Sequence, residues 1–130
     1  MLLAVAAGGC LGAPTRYGVE LLLPTPPNGF PWSTFIINVS GAMLLGLLVV
    51  LLLERFPSKR YVRAFLGTGF LGAYTTFSTY MVQTLVLARD GAVERAAAYV
   101  VGTLVIGLLA SWFGMALGRR ISLIGRGRGS

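Results

Sequence analysis

Residues 32–53, 64–88 and 96–118 form three runs of 22, 25 and 23 residues that contain no formal charge. A helix needs about 20 predominantly apolar residues to cross the hydrocarbon core of a bilayer, so each run is expected to be a transmembrane helix. The composition of the 130 residues, 55% hydrophobic and 12% charged, argues against an ordinary soluble domain. Residues 1–23 form a weaker apolar stretch, interrupted by Pro14, Arg16 and Glu20. A cleaved signal peptide would carry a basic segment ahead of its apolar core, which is absent here, so this stretch is read as a first transmembrane helix with a charged end.

The cluster Pro24-Thr25-Pro26-Pro27-Asn28-Gly29-Phe30-Pro31 cannot continue a helix and is expected to form the first loop. Residues 54–63 and 89–95 form the second and third loops. The reading is an all-α polytopic membrane protein, a single four-helix domain over residues 1–130 with spans 1–23, 32–53, 64–88 and 96–118. A polar basic tail, 119–130, follows, and from Gly125 onward it is expected to be frayed and solvated. Such short connections place the function inside the membrane.

A net charge of +7 raises the possibility of nucleic acid, but the basic residues lie between the apolar spans rather than along one face, which argues against that partner. Four spans put both termini and the second loop on one side. That side carries Arg55, Lys59, Arg60, Arg63, Arg119, Arg120, Arg126 and Arg128, while the opposite side carries Arg89 and Arg95. The positive-inside rule therefore predicts cytoplasmic termini in a multi-pass protein of the cell membrane, with the basic residues meeting anionic lipid.

The chain has no histidine, one cysteine and four acidic residues. No disulfide framework and no thiolate or imidazole metal site is expected, and the spans hold no pair of groups suited to acid–base or nucleophilic catalysis. The chain is read as a non-enzyme without catalytic residues. Cys10, within Ala6-Ala7-Gly8-Gly9-Cys10, is expected to be a buried packing residue.

Polar residues inside the spans carry the remaining information. Thr34, Asn38 and Ala42 recur at four-residue spacing and share one helical face, as do Tyr99, Thr103, Gly107 and Ser111. Asn38 either lines a path or bonds to a neighbouring helix, and the hydroxyls can also bond their own backbone. Ala42 with Gly46, and Ala110 with Gly114 and Gly118, are small-residue ladders for helix contacts. In the third span Gly67, Gly69, Gly72, Thr75 and Thr76 are poor helix formers in close succession, which predicts a broken helix over a continuous one with a packing groove. Carbonyls freed at such a break can bind a cation. Phe77 and Tyr80, three residues apart, share a face just beyond it and present either anion-attracting ring edges or ordinary packing surface. Arg16 is read as a vestibule charge or a snorkelling side chain, with Glu20 one turn on as its partner.

Three motifs occur in order: Gly8-Gly9-Cys10-Leu11-Gly12-Ala13-Pro14-Thr15-Arg16-Tyr17, then Asn38-Val39-Ser40-Gly41, then Gly69-Phe70-Leu71-Gly72-Ala73-Tyr74-Thr75-Thr76-Phe77-Ser78-Thr79-Tyr80. In these the chain resembles the Fluc/CrcB family of fluoride ion channels along essentially its whole length. The resemblance implies an antiparallel dual-topology dimer with two fluoride pores and a structural sodium ion, Na+, at its centre. It implies sodium held by the backbone carbonyls of Gly72 and Thr75, and a fluoride path past Phe77 and Tyr80. Asn38 would then donate to the anion, with hydroxyls from Thr34, Ser78, Thr79 and Thr103, and Arg16 near the pore mouth. Tyr80 replaces the phenylalanine usual in the family, and Gln83 stands where many members carry glutamate.

The uneven charge of the two sides sits against an antiparallel homodimer, leaving a homodimer that tolerates it or a heterodimer with a sister subunit. The competing function is a small four-helix proton-coupled multidrug or guanidinium exporter, which would need Glu20 as its membrane carboxylate. A non-conducting scaffold subunit is the other alternative.

Overall fold

The structure is a computed structural model and describes residues 1–129. Helix α1 covers Leu2–Leu22, and α2 covers Trp32–Val50 and runs on through a π-helical turn, Leu51–Arg55. The third span is composite: α3, Arg60–Arg63, passes into a π-helical segment, Ala64–Leu71, and then into α4, Gly72–Tyr74. After a break at residues 75–77, α5 covers Ser78–Arg89 and α6 covers Val93–Gly127.

Contacts at the two ends give these elements an up-and-down course. The Arg95 guanidinium donates to the Asn28 carbonyl, joining the first loop to the start of α6. At the other end, Gly125 near the end of α6 lies against the Arg55 guanidinium at the end of α2. Four spans alternating in direction satisfy both contacts.

Backbones approach closely where glycine leaves room. Gly8 and Gly12 of α1 abut the backbone of Phe65 and Phe70. On the other seam Gly46 of α2 meets the Ser111 carbonyl, while Gly114 of α6 meets that of Met43. Such small-residue contacts supply dispersion contact where lipid offers no hydrophobic drive for helices to associate. The surface inverts that of a soluble protein. Leu2, Leu3 and Leu108 are 85%, 86% and 73% exposed, whereas Thr34, Thr103 and Ser122 are buried. Apolar side chains turn outward because their solvent is hydrocarbon.

The helices Trp32–Arg55 and Val93–Gly127 are each unbroken, long and apolar enough to cross a membrane alone. The third span is not one helix, because the expected break divides it.

Two expectations need correction. The tail was expected to fray from Gly125, yet α6 is helical through Gly127, since Arg119 to Ile124 contain no helix breaker and Gly125 is packed against Arg55; Ser130 lies outside the described residues. Cys10 is exposed rather than buried, because Gly8 and Gly12, not Cys10, face the third span.

Candidate functional site

The break begins where the glycine-rich π-helical segment ends. Thr75 is extended, with φ −77° and ψ 157°, and both its N–H and its hydroxyl donate to the Leu71 carbonyl at 2.9 Å. The next peptide would be stranded at membrane depth, where unpaired backbone groups cost several kcal/mol each. The Asn38 side chain pairs with it twice. Asn38 Nδ2 donates to the Thr76 carbonyl at 2.8 Å, and the Thr76 N–H donates to Asn38 Oδ1 at 2.9 Å. The Thr76 hydroxyl then accepts from the Thr79 N–H at 3.2 Å and caps the first turn of α5.

Asn38 therefore holds the break in place, and only its second amide hydrogen is left for another acceptor. Within this chain Asn38 bonds from α2 across to the non-helical Thr76 of the third span. Whether that hydrogen also meets an anion depends on the groove beside it. This groove, of about 400 Å³, is lined by Asn38, Gly41, Ala42, Gly72, Thr75 and Phe77, among others. No lining residue is ionisable, so the groove is neutral. The positive end of the α5 dipole lies at the break and supplies a partial charge only.

Gly72 and Thr75 stand together at this groove. Their carbonyls receive no hydrogen bond from any described residue, because the helix that would have supplied donors stops at Tyr74 and the Thr76 N–H is turned to Asn38. Free carbonyl oxygens at 72 and 75 suit a hard cation such as sodium.

Phe77 and Tyr80 are neighbours, their ring centroids 6.0 Å apart with planes inclined by 53°. Their surroundings differ. Phe77 is 73% exposed at the edge of the groove, while Tyr80 is buried, packed edge-on against Tyr99 at 5.0 Å. The Tyr80 hydroxyl donates to the Val100 carbonyl at 2.9 Å, turned into α6 and away from Phe77. Thr34 and Thr103 are buried on the facing sides of α2 and α6, and their hydroxyls have no partner among the described residues. One turn before Thr103 on α6 lies Tyr99, fully buried, whose hydroxyl donates to Gln83 Oε1 at 2.8 Å.

Other expected members stand apart in the single chain. Ser78 is exposed beside Thr76, 3.4 Å away through their hydroxyls, and Thr79 is half-buried in the α5 cap. Arg16 does not line the groove; it pairs with Glu20 at 3.8 Å on α1. Sequence reasoning names Thr76, Gln83 and Tyr99 but not the bonds they make: Thr76 with Asn38, and Tyr99 with Gln83. Thr76 lay in the polar run, but its pairing with Asn38 spans 38 positions and has no local signature.

The family described as "CrcB-like protein, Camphor Resistance (CrcB)" matches residues 3–115. The chain belongs to the CrcB family. Among its CrcB relatives, "Fluoride-specific ion channel FluC 3" of Streptomyces avermitilis is 52% identical over 119 residues, covering 92% of this chain and 58% of the relative. "Fluoride-specific ion channel FluC 2" of Nocardia farcinica is 44% identical over 118 residues, covering 91% of this chain and 81% of the relative. "Fluoride-specific ion channel FluC 1" of Mycobacterium bovis is 44% identical over 122 residues, covering 94% and 92%. The chain thus spans a little over half the length of the Streptomyces protein and most of the length of the other two.

For this CrcB chain the Tyr80 geometry makes a definite prediction. Tyr80→Phe removes one hydrogen bond, worth about 0.5–1.5 kcal/mol, and leaves the ring packed on Tyr99. A small loss of thermal stability with wild-type ion flux is the expected result. A changed flux at equal folding would put the hydroxyl in the ion path.

Proposed function

We propose that this chain forms a fluoride-selective channel that lets fluoride leave the cell passively and so relieves fluoride toxicity. The observation that carries the reading is the neutral, hydrogen-bond-lined break of the third span, in a chain whose relatives are named fluoride-specific ion channels. An uncharged groove with amide and hydroxyl donors can replace part of an anion's hydration without trapping it, as a buried lysine would. The remaining Asn38 hydrogen, the Ser78 and Thr79 hydroxyls and the Phe77 ring edge solvate the ion near the break. Thr34 and Thr103 offer free hydroxyls deeper in the bundle, Tyr80 shapes the wall, and Arg16 draws anions toward the mouth.

The working unit is an antiparallel dimer. Support for a partner comes from Phe77, an aromatic ring exposed at the groove's edge, which a second copy would cover. Two carbonyls are too few for a sodium ion, whereas Gly72 and Thr75 from two copies supply four. The ion would then neutralise the carbonyl dipoles and fix both breaks at the dimer centre. We take the partner to be identical, inserted in the opposite sense, despite the concentration of basic residues on one side. In the orientation favoured by that charge, both termini face the cytoplasm of a multi-pass protein in the cell membrane.

The exporter alternative has no support: Glu20, its required carboxylate, is engaged with Arg16. Efflux from liposomes containing the purified protein tests the proposal. Fluoride is expected to leave rapidly and chloride to stay. Absence of fluoride efflux, or equal chloride efflux, overturns the assignment.

A further inference from the structure

We propose that the end of the bundle formed by the α2–α3 turn and the end of α6 is a binding surface for the headgroups of anionic phospholipids. Arg55, Lys59 and Arg60 project from the turn, Arg119, Arg120 and Arg126 from α6, and all six are exposed. The two groups form one surface because Gly125 packs against the Arg55 guanidinium. These charges have no internal partner. The one ion pair among the described residues is Arg16–Glu20 on α1, and Glu54 is the only acidic side chain on this side.

Position selects lipid over a soluble anion. The uncharged part of α6 ends at Gly118, and at about 1.5 Å per residue the helix from Arg119 to Arg126 climbs about 10 Å further. Headgroups fill a layer of several Å outside the hydrocarbon core. Ile121, Leu123 and Ile124 are exposed between the arginines, and Phe56 and Tyr61 are exposed beside Arg55 and Arg60. The Arg60 guanidinium lies 5.1 Å from the Tyr61 ring centre and that of Arg55 lies 5.9 Å from Phe56. Aromatic and aliphatic side chains interleaved with arginine suit a layer that is phosphate on one side and acyl chain on the other. A free phosphate or an acidic soluble protein would leave them in water.

Each basic residue near an anionic surface strengthens binding about fivefold, so neutralising several should be plain to read. The experiment is native mass spectrometry of the purified 130-residue chain released from micelles containing phosphatidylglycerol and phosphatidylcholine in equal amounts. Wild type is expected to retain phosphatidylglycerol by about tenfold or more over phosphatidylcholine. The preference should collapse in a variant combining Arg55→Gln, Arg119→Gln, Arg120→Gln and Arg126→Gln, and survive Arg89→Gln on the opposite side. Equal retention of both lipids by wild type overturns the proposal. So does an unchanged preference in the quadruple variant with its helical circular dichroism intact, an equal loss in Arg89→Gln, or displacement of the lipid by millimolar inorganic phosphate.

Discussion

Asn38→Leu is expected to abolish fluoride flux in a protein that still folds as a helical bundle. Leucine keeps the branched four-atom skeleton of the side chain on α2, though with somewhat more bulk, and removes both bonds to Thr76. The Thr76 N–H and carbonyl, on a residue that is buried, would then each carry an unmet desolvation penalty of about 1–3 kcal/mol. Taken together that is about 2–6 kcal/mol against the observed geometry of the break, enough to depopulate it by about thirtyfold or more. The break also sets the positions of Phe77 and of the freed Gly72 and Thr75 carbonyls, so the loss should reach the whole groove. Liposome efflux measures flux, and hydrogen exchange at the Thr76 amide separates positioning from anion binding. Protection of that amide should fall in Asn38→Leu even without fluoride. Wild-type flux would remove Asn38 from the ion path altogether, and an unchanged amide with flux lost would return it to a donor role alone.

The second large effect concerns the seam between α2 and α6. A side chain at Gly114 would collide with the Met43 carbonyl and lie 3.0 Å from the Leu47 nitrogen even as its first carbon. Backbone atoms cannot swing aside as a flexible side chain does, so Gly114→Leu must drive the two helices apart. Overpacking in a tight interior typically costs about 1–3 kcal/mol, and a clash with main chain belongs at or above the upper end of that range. Gly107, two turns earlier on the same helix, has open space around it, and Gly107→Leu is the control. Thermal melting in detergent should show Gly114→Leu collapsed or poorly expressed and Gly107→Leu near wild type. Equal melting of the two variants would mean that the helices are not in the contact described.

The spans were legible because runs of charge-free residues are a one-dimensional property, and the course of the chain through the bilayer follows from their order. The break was legible for a related reason. Gly67, Gly69, Gly72, Thr75 and Thr76 are each poor helix formers, and their local preferences add. What escaped is pairwise and distant. No spacing rule couples Asn38 to Thr76, Tyr80 to Val100 or Tyr99 to Gln83, because these depend on which helices become neighbours. Phe77 and Tyr80 show how far periodicity reaches: three-residue spacing makes the rings neighbours, but whether each meets protein or the exterior is decided by α6, which covers one of them. The end of α6 was misjudged because glycine and arginine suggest disorder from composition alone, whereas the guanidinium of Arg55 gives Gly125 a contact.

The neutrality of the groove bears on time rather than on place. A visitor held by an amide hydrogen, hydroxyls and a ring edge, with no opposite formal charge among the lining residues, sits in a shallow well. Shallow wells empty quickly. Short residence is what a conduit for rapid passage requires, so poor binding at any single point and fast throughput are two readings of the same absence of charge.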